Sequence, residues 1–92
     1  MEVLYYEDVS VGETMSVGDY KLTEKEIISF AKKWDPQPYH IDQKAASLSI
    51  YGALTASGIH LVSIRTRLLH QIRPKPVILG SLGWDELRFP NP

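Results

Sequence analysis

The clearest hydrophobic periodicity in the chain starts after Thr23. Thr23 and Glu26 match a capping box, in which the threonine hydroxyl and the glutamate side chain satisfy free amides at a helix start. Apolar residues then recur at i, i+3, i+4 and i+7, at Ile27, Phe30, Ala31 and Trp34. We expect an amphipathic helix with this face buried and with Trp34 anchoring the segment that follows. Its exposed face would carry Lys25, Ser29, Lys32 and Lys33.

A longer helix is predicted further along, opened by Thr55 or Ser57 as its cap and ending near Arg73, before a proline. Its apolar residues cover more than one stripe and are Leu61, Val62, Ile64, Leu68, Leu69 and Ile72. A helix of this kind belongs in a core. We therefore expect a sheet curled around it.

Two strands are predicted from alternating apolar positions. The first, Glu13 to Leu22, would be bent near Gly18, and the second, Val77 to Phe89, would carry a bulge at Gly80 or Gly83. Together with the two helices, these strands indicate an α+β fold.

The remaining segments have weaker patterns. Residues 1–11 mix aromatic and acidic side chains and are interpreted as an irregular lead-in. Asp42 can cap a short helix over residues 43–47 that ends near Gly52. Because no linker or repeat interrupts the chain, residues 1–92 are interpreted as a single domain.

Composition narrows the possible classes. A chain of 92 residues buries only about 60 to 65% of its unfolded surface, so help from a partner is plausible. The net charge of −1 argues against nucleic-acid binding. The absence of cysteine excludes disulfides, thiolate metal sites and a cysteine nucleophile, and makes the cytoplasm the default location. Without a signal sequence or a run of about 18 apolar residues, we expect a soluble, unprocessed protein with no membrane partner.

The first candidate site lies between Trp34 and Asp42, where Asp35 and His40 are five residues apart around two prolines. Proline restricts its own backbone and that of the preceding residue, so this segment should leave the helix and bend. Such a bend could aim a carboxylate and an imidazole at one small volume. The alternative is an ordinary helix stop followed by a partly buried histidine.

The second candidate is the pair Ser57 and Gly58, at the predicted start of the long helix. Free amides at a helix start suit a developing oxyanion, such as the oxygen of a thioester that becomes an enolate. The alternative is close packing of helix on sheet, which requires glycine equally. Ser57 lacks the elbow motif of a serine nucleophile, and a helix cap or a hydrogen bond to Asp35 is the favoured role for its hydroxyl.

Other polar clusters carry weaker signals. His40, Asp42, His60 and His70 fit no familiar metal-ligand spacing, so no metal is predicted. Four basic residues lie in the long helix and just after it, namely Arg65, Arg67, Arg73 and Lys75. Solvation is the first explanation of these charges, contacts to the phosphates of coenzyme A or to an acidic carrier protein come second, and nucleic acid is a distant third.

The order of these motifs resembles the MaoC-like, (R)-specific enoyl-CoA hydratases of the hot-dog fold. The family pattern is Asp, any residue, Asn, Pro, any residue and His, and the chain matches it at Asp35, Pro38 and His40. Gln37 stands where asparagine is usual. Gly58 matches the family's oxyanion glycine by its spacing from His40.

The resemblance implies an enzyme that hydrates or dehydrates an acyl thioester. Asp35 and His40 would exchange protons with one water and with the substrate, the Gly58 amide would hold the thioester oxygen, and Gln37 and Ser57 would contact the substrate. No separate cofactor is expected, since coenzyme A or an acyl carrier forms part of the substrate. A non-catalytic acyl-thioester or carrier-binding module and a hot-dog thioesterase remain the alternatives.

The resemblance also implies more β-strands than the sequence predicts. A hot-dog fold wraps an antiparallel sheet of about five or more strands around its helix, whereas only two convincing strands are predicted here. We therefore expect the 92 residues to be the N-terminal part of a longer protein, or a partner chain to supply strands. A homodimer or a higher homo-oligomer is expected by family analogy.

Overall fold

Helices dominate the computed structural model, which describes residues 3–14, 16–76 and 78–91. The α-helices of these residues are α1 (Glu24–Trp34), α2 (Pro38–Ile41), α3 (Gln43–Ser47) and α4 (Gly58–Leu69). Strands β1 (Val3–Leu4) and β2 (Lys75–Pro76) pair in parallel, with Val3 opposite Lys75. A turn of 3-10 helix spans Tyr6–Asp8, so the lead-in is more regular than predicted.

The capping box at the start of α1 is confirmed. The Glu26 amide donates to the Thr23 hydroxyl oxygen at 3.2 Å, and the hydroxyl donates to the Glu26 carboxylate at 3.1 Å. Ala31 is fully buried, and α1 contacts both α2 and α4. The predicted anchor was wrong, because Trp34 is 65% exposed and its ring lies 5.0 Å from the Lys33 ammonium. The indole therefore makes a cation–π contact with its neighbour and is not buried in the core.

The proline-rich connection leaves the helix as predicted, but only briefly. Asp35 and Gln37 have non-helical backbones, with φ, ψ of −156°, 73° and −66°, 140°. Pro38 then occupies the first turn of α2, where its missing amide hydrogen costs nothing. His40 consequently lies on a helical turn and not in extended chain. The cap at Asp42 is confirmed, since its carboxylate accepts from two backbone amides of α3.

The long helix begins where predicted and ends sooner. Ser57 precedes α4, which stops at Leu69, four residues before Arg73. The expected burial of α4 is not observed within the described residues: Ile59 is 60% exposed, Leu61 is 39% exposed, and His60 is its buried residue. Helix α4 therefore presents apolar surface that no described strand covers.

Both predicted long strands were wrong. Residues 13–14 and 16–22 have no strand structure, nor have residues 78–89, while Met15 and Val77 lie outside the described residues. The described sheet is a short parallel pair and not an antiparallel wrap. A strand requires a neighbour to bind its backbone groups, and a local alternation of apolar residues does not supply one.

Across residues 3–14, 16–76 and 78–91, no helix combines the length and apolar character that crossing a membrane would require.

Candidate active site

Asp35 and His40 meet at the junction of α1 and α2. The Nε2 atom of His40 lies 3.5 Å from Oδ2 of Asp35. The imidazole is buried, and the Asp35 side chain is 36% exposed. The bend between the helices thus turns a five-residue separation into a direct contact, as the sequence predicted.

The His40 ring is fixed by its other nitrogen. Nδ1 makes a short contact with the carbonyl oxygen of Thr55. Since a carbonyl oxygen only accepts, Nδ1 carries the hydrogen, which leaves Nε2 as the nitrogen that can take up or release a proton. The Thr55 amide in turn donates to the Tyr39 carbonyl at 3.2 Å, and the Tyr39 ring packs edge-on against His40, with centroids 4.5 Å apart.

Ser57 supports the carboxylate. Its hydroxyl donates to Oδ2 of Asp35 at 2.8 Å, and the residue is 1% exposed. Ser57 makes no side-chain cap on α4, so the structure favours the second of its two predicted hydroxyl roles. The first amides of α4 are therefore not satisfied by this hydroxyl.

A cleft of about 500 Å³ opens beside the imidazole. His40 and Gly58 both line it, so the predicted proton-transfer residue and the predicted oxyanion residue share one space. Its wall is largely apolar and includes Leu22, Ile27, Leu54, Leu61 and the rings of Tyr39 and Tyr51. A cavity of this character suits the hydrocarbon part of a ligand.

The structure does not bring every predicted residue to the cleft. Gln37 is exposed on the connection between α1 and α2 and does not line the cavity. Asp35 and Ser57 do not line the cleft either, and Asp35 reaches its edge through the contact with His40. The contacts of Gln37 and Ser57 with substrate stay predictions.

Three contributors to the site were not predicted from the sequence: Thr55, Phe89 and Tyr39. Thr55 acts through its carbonyl, and a backbone group gives no residue-type signal. Phe89 lines the cleft and lies against Gly58, although it is 31 residues away along the chain. Of the three, only Tyr39 could have been inferred from the sequence, because it directly precedes His40.

A second polar cluster lies between α1 and α4. The His60 ring stacks on Phe30, with centroids 4.3 Å apart and an interplanar angle of 7°. Burial lowers the pKa of His60, and the Glu26 carboxylate opposes this effect. Among the described residues, His60 Nδ1 has no hydrogen-bond partner.

The Tyr20 hydroxyl donates to the Glu26 carboxylate, which raises the pKa of Tyr20 and lowers that of Glu26. His70 is exposed, and within residues 3–14, 16–76 and 78–91 no three His, Asp or Glu side chains gather as metal ligands.

The sequence matches the MaoC like domain family over residues 8–92. The chain therefore belongs to the MaoC-like dehydratase domain family. The crystal structure of a MaoC-like dehydratase from Rhodospirillum rubrum superposes with a TM-score of 0.68 at 41% identity, over 72% of this chain and 45% of that one. The superposed part of this chain thus shares the fold of a solved member of the family.

Two sequence relatives agree with this assignment. Protein MaoC of Klebsiella aerogenes is 33% identical over 89 residues, which is 96% of this chain and 26% of that protein. The uncharacterised protein YdeM of Bacillus subtilis is 29% identical over 62 residues, or 67% of this chain and 44% of that protein. The chain thus spans less than half the length of each of these relatives.

Proposed function

We propose that this protein hydrates the C2–C3 double bond of a trans-2-enoyl thioester to an (R)-3-hydroxyacyl thioester, or catalyses the reverse dehydration. The observation that carries the proposal is the Asp35–His40 contact at 3.5 Å, beside a cleft that His40 and Gly58 line together. Membership of a dehydratase family supports this general class of reaction. The thioester, the stereochemistry and the residue roles are part of the proposal.

The reaction requires two proton transfers on one face of the double bond. In the proposed step, one water is hydrogen-bonded to both Asp35 and His40, and one of these two residues takes a proton from it while the water oxygen bonds to C3. The electron pair of the double bond shifts toward the carbonyl, forming an enolate, and the other residue delivers a proton to C2. A positioned pair of this kind contributes about 10²- to 10⁴-fold in rate.

The supporting contacts determine which atoms can act. Nδ1 of His40 is held by the Thr55 carbonyl, so Nε2 is the atom that exchanges the proton. Oδ2 of Asp35 is held by Ser57 on one side and faces Nε2 on the other. Both side chains are therefore preorganised by groups that carry no charge.

Gly58 would stabilise the enolate through its backbone amide. The amide lies in the first turn of α4, where the N–H groups carry a partial positive charge from the helix dipole. A preorganised donor of this kind is worth roughly 10²- to 10³-fold in rate.

The carrier of the acyl group would be coenzyme A or an acyl carrier protein. The basic residues in and after α4, Arg65, Arg67, Arg73 and Lys75, are all exposed and available for phosphates or acidic side chains. We further propose the full hot-dog fold, in which strands of a longer chain or of a partner chain cover α4 and the protein assembles as a homodimer or a higher homo-oligomer. The exposed Ile59 and Leu61 support this part of the proposal.

An assay with crotonyl-CoA tests the function. Hydration removes the absorbance of the conjugated thioester, and chiral analysis of the 3-hydroxybutyryl product distinguishes R from S. A thiol reagent in a parallel reaction detects free coenzyme A, which a thioesterase would release. Binding without either reaction would contradict the proposal and indicate the non-catalytic binding module.

A further inference from the structure

Phe89 lies directly on the residue proposed to hold the thioester oxygen. A Cβ atom built on Gly58 would meet Cε2, Cζ and Cδ2 of the Phe89 ring at 2.9, 3.0 and 3.2 Å. These distances are shorter than van der Waals contact, so the ring reaches this position only because Gly58 has no side chain. Phe89 is 48% exposed and is one of the residues that line the cleft.

The ring is therefore close to the carbonyl end of a bound thioester. An oxygen bound by the Gly58 amide would lie about 2.9 Å from the amide nitrogen, and that nitrogen is about 1.46 Å from the Cα atom that Phe89 covers. C1 and C2 of the substrate follow within two bonds of the oxygen. Since C2 must also come within reach of the Asp35–His40 pair, it has to lie between Gly58 and His40, in the cleft that Phe89 lines.

We propose that Phe89 determines specificity at C2 of the acyl group, by admitting thioesters with hydrogen at C2 and excluding those with a methyl or larger substituent. This inference rests on the proposed function, because it places the thioester oxygen on Gly58. A rigid aromatic ring at this distance leaves no room for a branch next to the carbonyl. One methylene in an apolar pocket changes discrimination by about 10- to 200-fold.

The test compares Phe89→Ala with the unmodified full chain on two substrates, crotonyl-CoA and 2-methylcrotonyl-CoA. The ratio of their kcat/KM values is the readout, since it cancels general losses of activity. We expect the preference for the unbranched substrate to fall by at least about tenfold in Phe89→Ala. If the alanine variant folds poorly, Phe89→Leu replaces it in the test. This variant keeps an apolar side chain and should give an intermediate ratio. Trp84→Ala is the matched control, because Trp84 is exposed in the same segment and does not line the cleft.

A binding measurement separates this inference from the proposed function. Calorimetric titration with butyryl-CoA and 2-methylbutyryl-CoA gives the same comparison with saturated thioesters that cannot be hydrated. Binding of butyryl-CoA without turnover of crotonyl-CoA would contradict the proposed function, and the affinity ratio would still test Phe89. An affinity ratio that is the same in the unmodified chain, Phe89→Leu and Phe89→Ala would overturn the inference, whatever the turnover.

Discussion

The hydroxyl of Ser57 donates to the same carboxylate oxygen of Asp35 that faces Nε2 of His40. Ser57 lies at the start of α4, Asp35 follows α1, and His40 is part of α2. This one oxygen atom therefore joins three helices at the candidate site. Its position depends on tertiary packing as much as on the local chain.

Removing either member of the acid–base pair should abolish most of the activity. We expect Asp35→Asn and His40→Ala each to lower kcat by at least ~10²-fold, because each deletes one of the two proton transfers. Steady-state kinetics with crotonyl-CoA measures this effect. The control variants are Asp85→Asn and His70→Ala, which make the same chemical changes at exposed positions. Their kcat should equal that of the unmodified protein. Near-normal turnover in both site variants would refute the assignment.

Ser57→Ala should weaken the site without eliminating it. The change removes the hydrogen bond to Asp35 and should cost about 1 kcal/mol of stability. We expect a decrease in kcat of roughly tenfold, which corresponds to about 1.4 kcal/mol of transition-state stabilisation. Ser63→Ala is the control, since the exposed Ser63 hydroxyl donates only within α4. Complete loss of activity in a folded Ser57→Ala protein would instead make this hydroxyl, and not the Gly58 amide, the main contact of the carbonyl.

Gly58 and Phe89 should be coupled in stability. The added Cβ of Gly58→Ala would overlap the Phe89 ring, and overpacking of this kind costs about 1 to 3 kcal/mol. In a Phe89→Ala background the same change meets no ring, so we expect it to be neutral or stabilising. Denaturant unfolding of the two single variants and the double variant gives the coupling energy. Additive effects would show that the ring does not require glycine at this position.

Stability should decrease as the pH falls below the ordinary titration range of histidine. Burial lowers the folded-state pKa of His60 from its usual value of 6.5, so the unfolded chain takes up this proton first. The contribution of neutral His60 is complete above pH 6.5 and is lost progressively as the pH falls toward the lowered folded-state pKa.

His60→Phe preserves an aromatic ring beside Phe30 and removes the proton-binding group. We expect unfolding free energies to depend less steeply on pH in this variant, in the range just below 6.5. Identical pH profiles for the two proteins would contradict the predicted role of His60.

A second chain or further strands should cover α4. We expect sedimentation to detect an obligate oligomer or aggregation, or denaturant unfolding to be weakly cooperative, because exposed apolar helix surface favours association. A cooperative, monomeric and hydratase-active chain of 92 residues would contradict this expectation.

The sequence predicted those features that short-range chemistry determines. The caps at Thr23 and Asp42 and the bend before Pro38 depend on neighbouring residues, and all three were found where expected. The Asp35–His40 contact follows from that bend. These features require only the local rules for backbone angles and free amides.

Features that depend on distant partners were not predictable in the same way. The alternating residues of 13–22 and 77–89 resemble strands, yet pairing depends on a neighbour that the pattern does not specify. The exposure of Trp34 likewise reflects where other elements pack. The contact of Phe89 with Gly58 depends on the path of the chain after α4 and has no local signal.

The contact between His40 Nδ1 and the Thr55 carbonyl gives one ring two separate uses. This contact connects α2 to the segment that leads into α4, while Nε2, on the opposite edge of the imidazole, faces Asp35. A variant of His40 would lose this connection together with the contact to Asp35. A variant of Asp35 would keep this connection but lose the oxygen that joins Ser57 and His40, so each member of the pair has a structural role of its own.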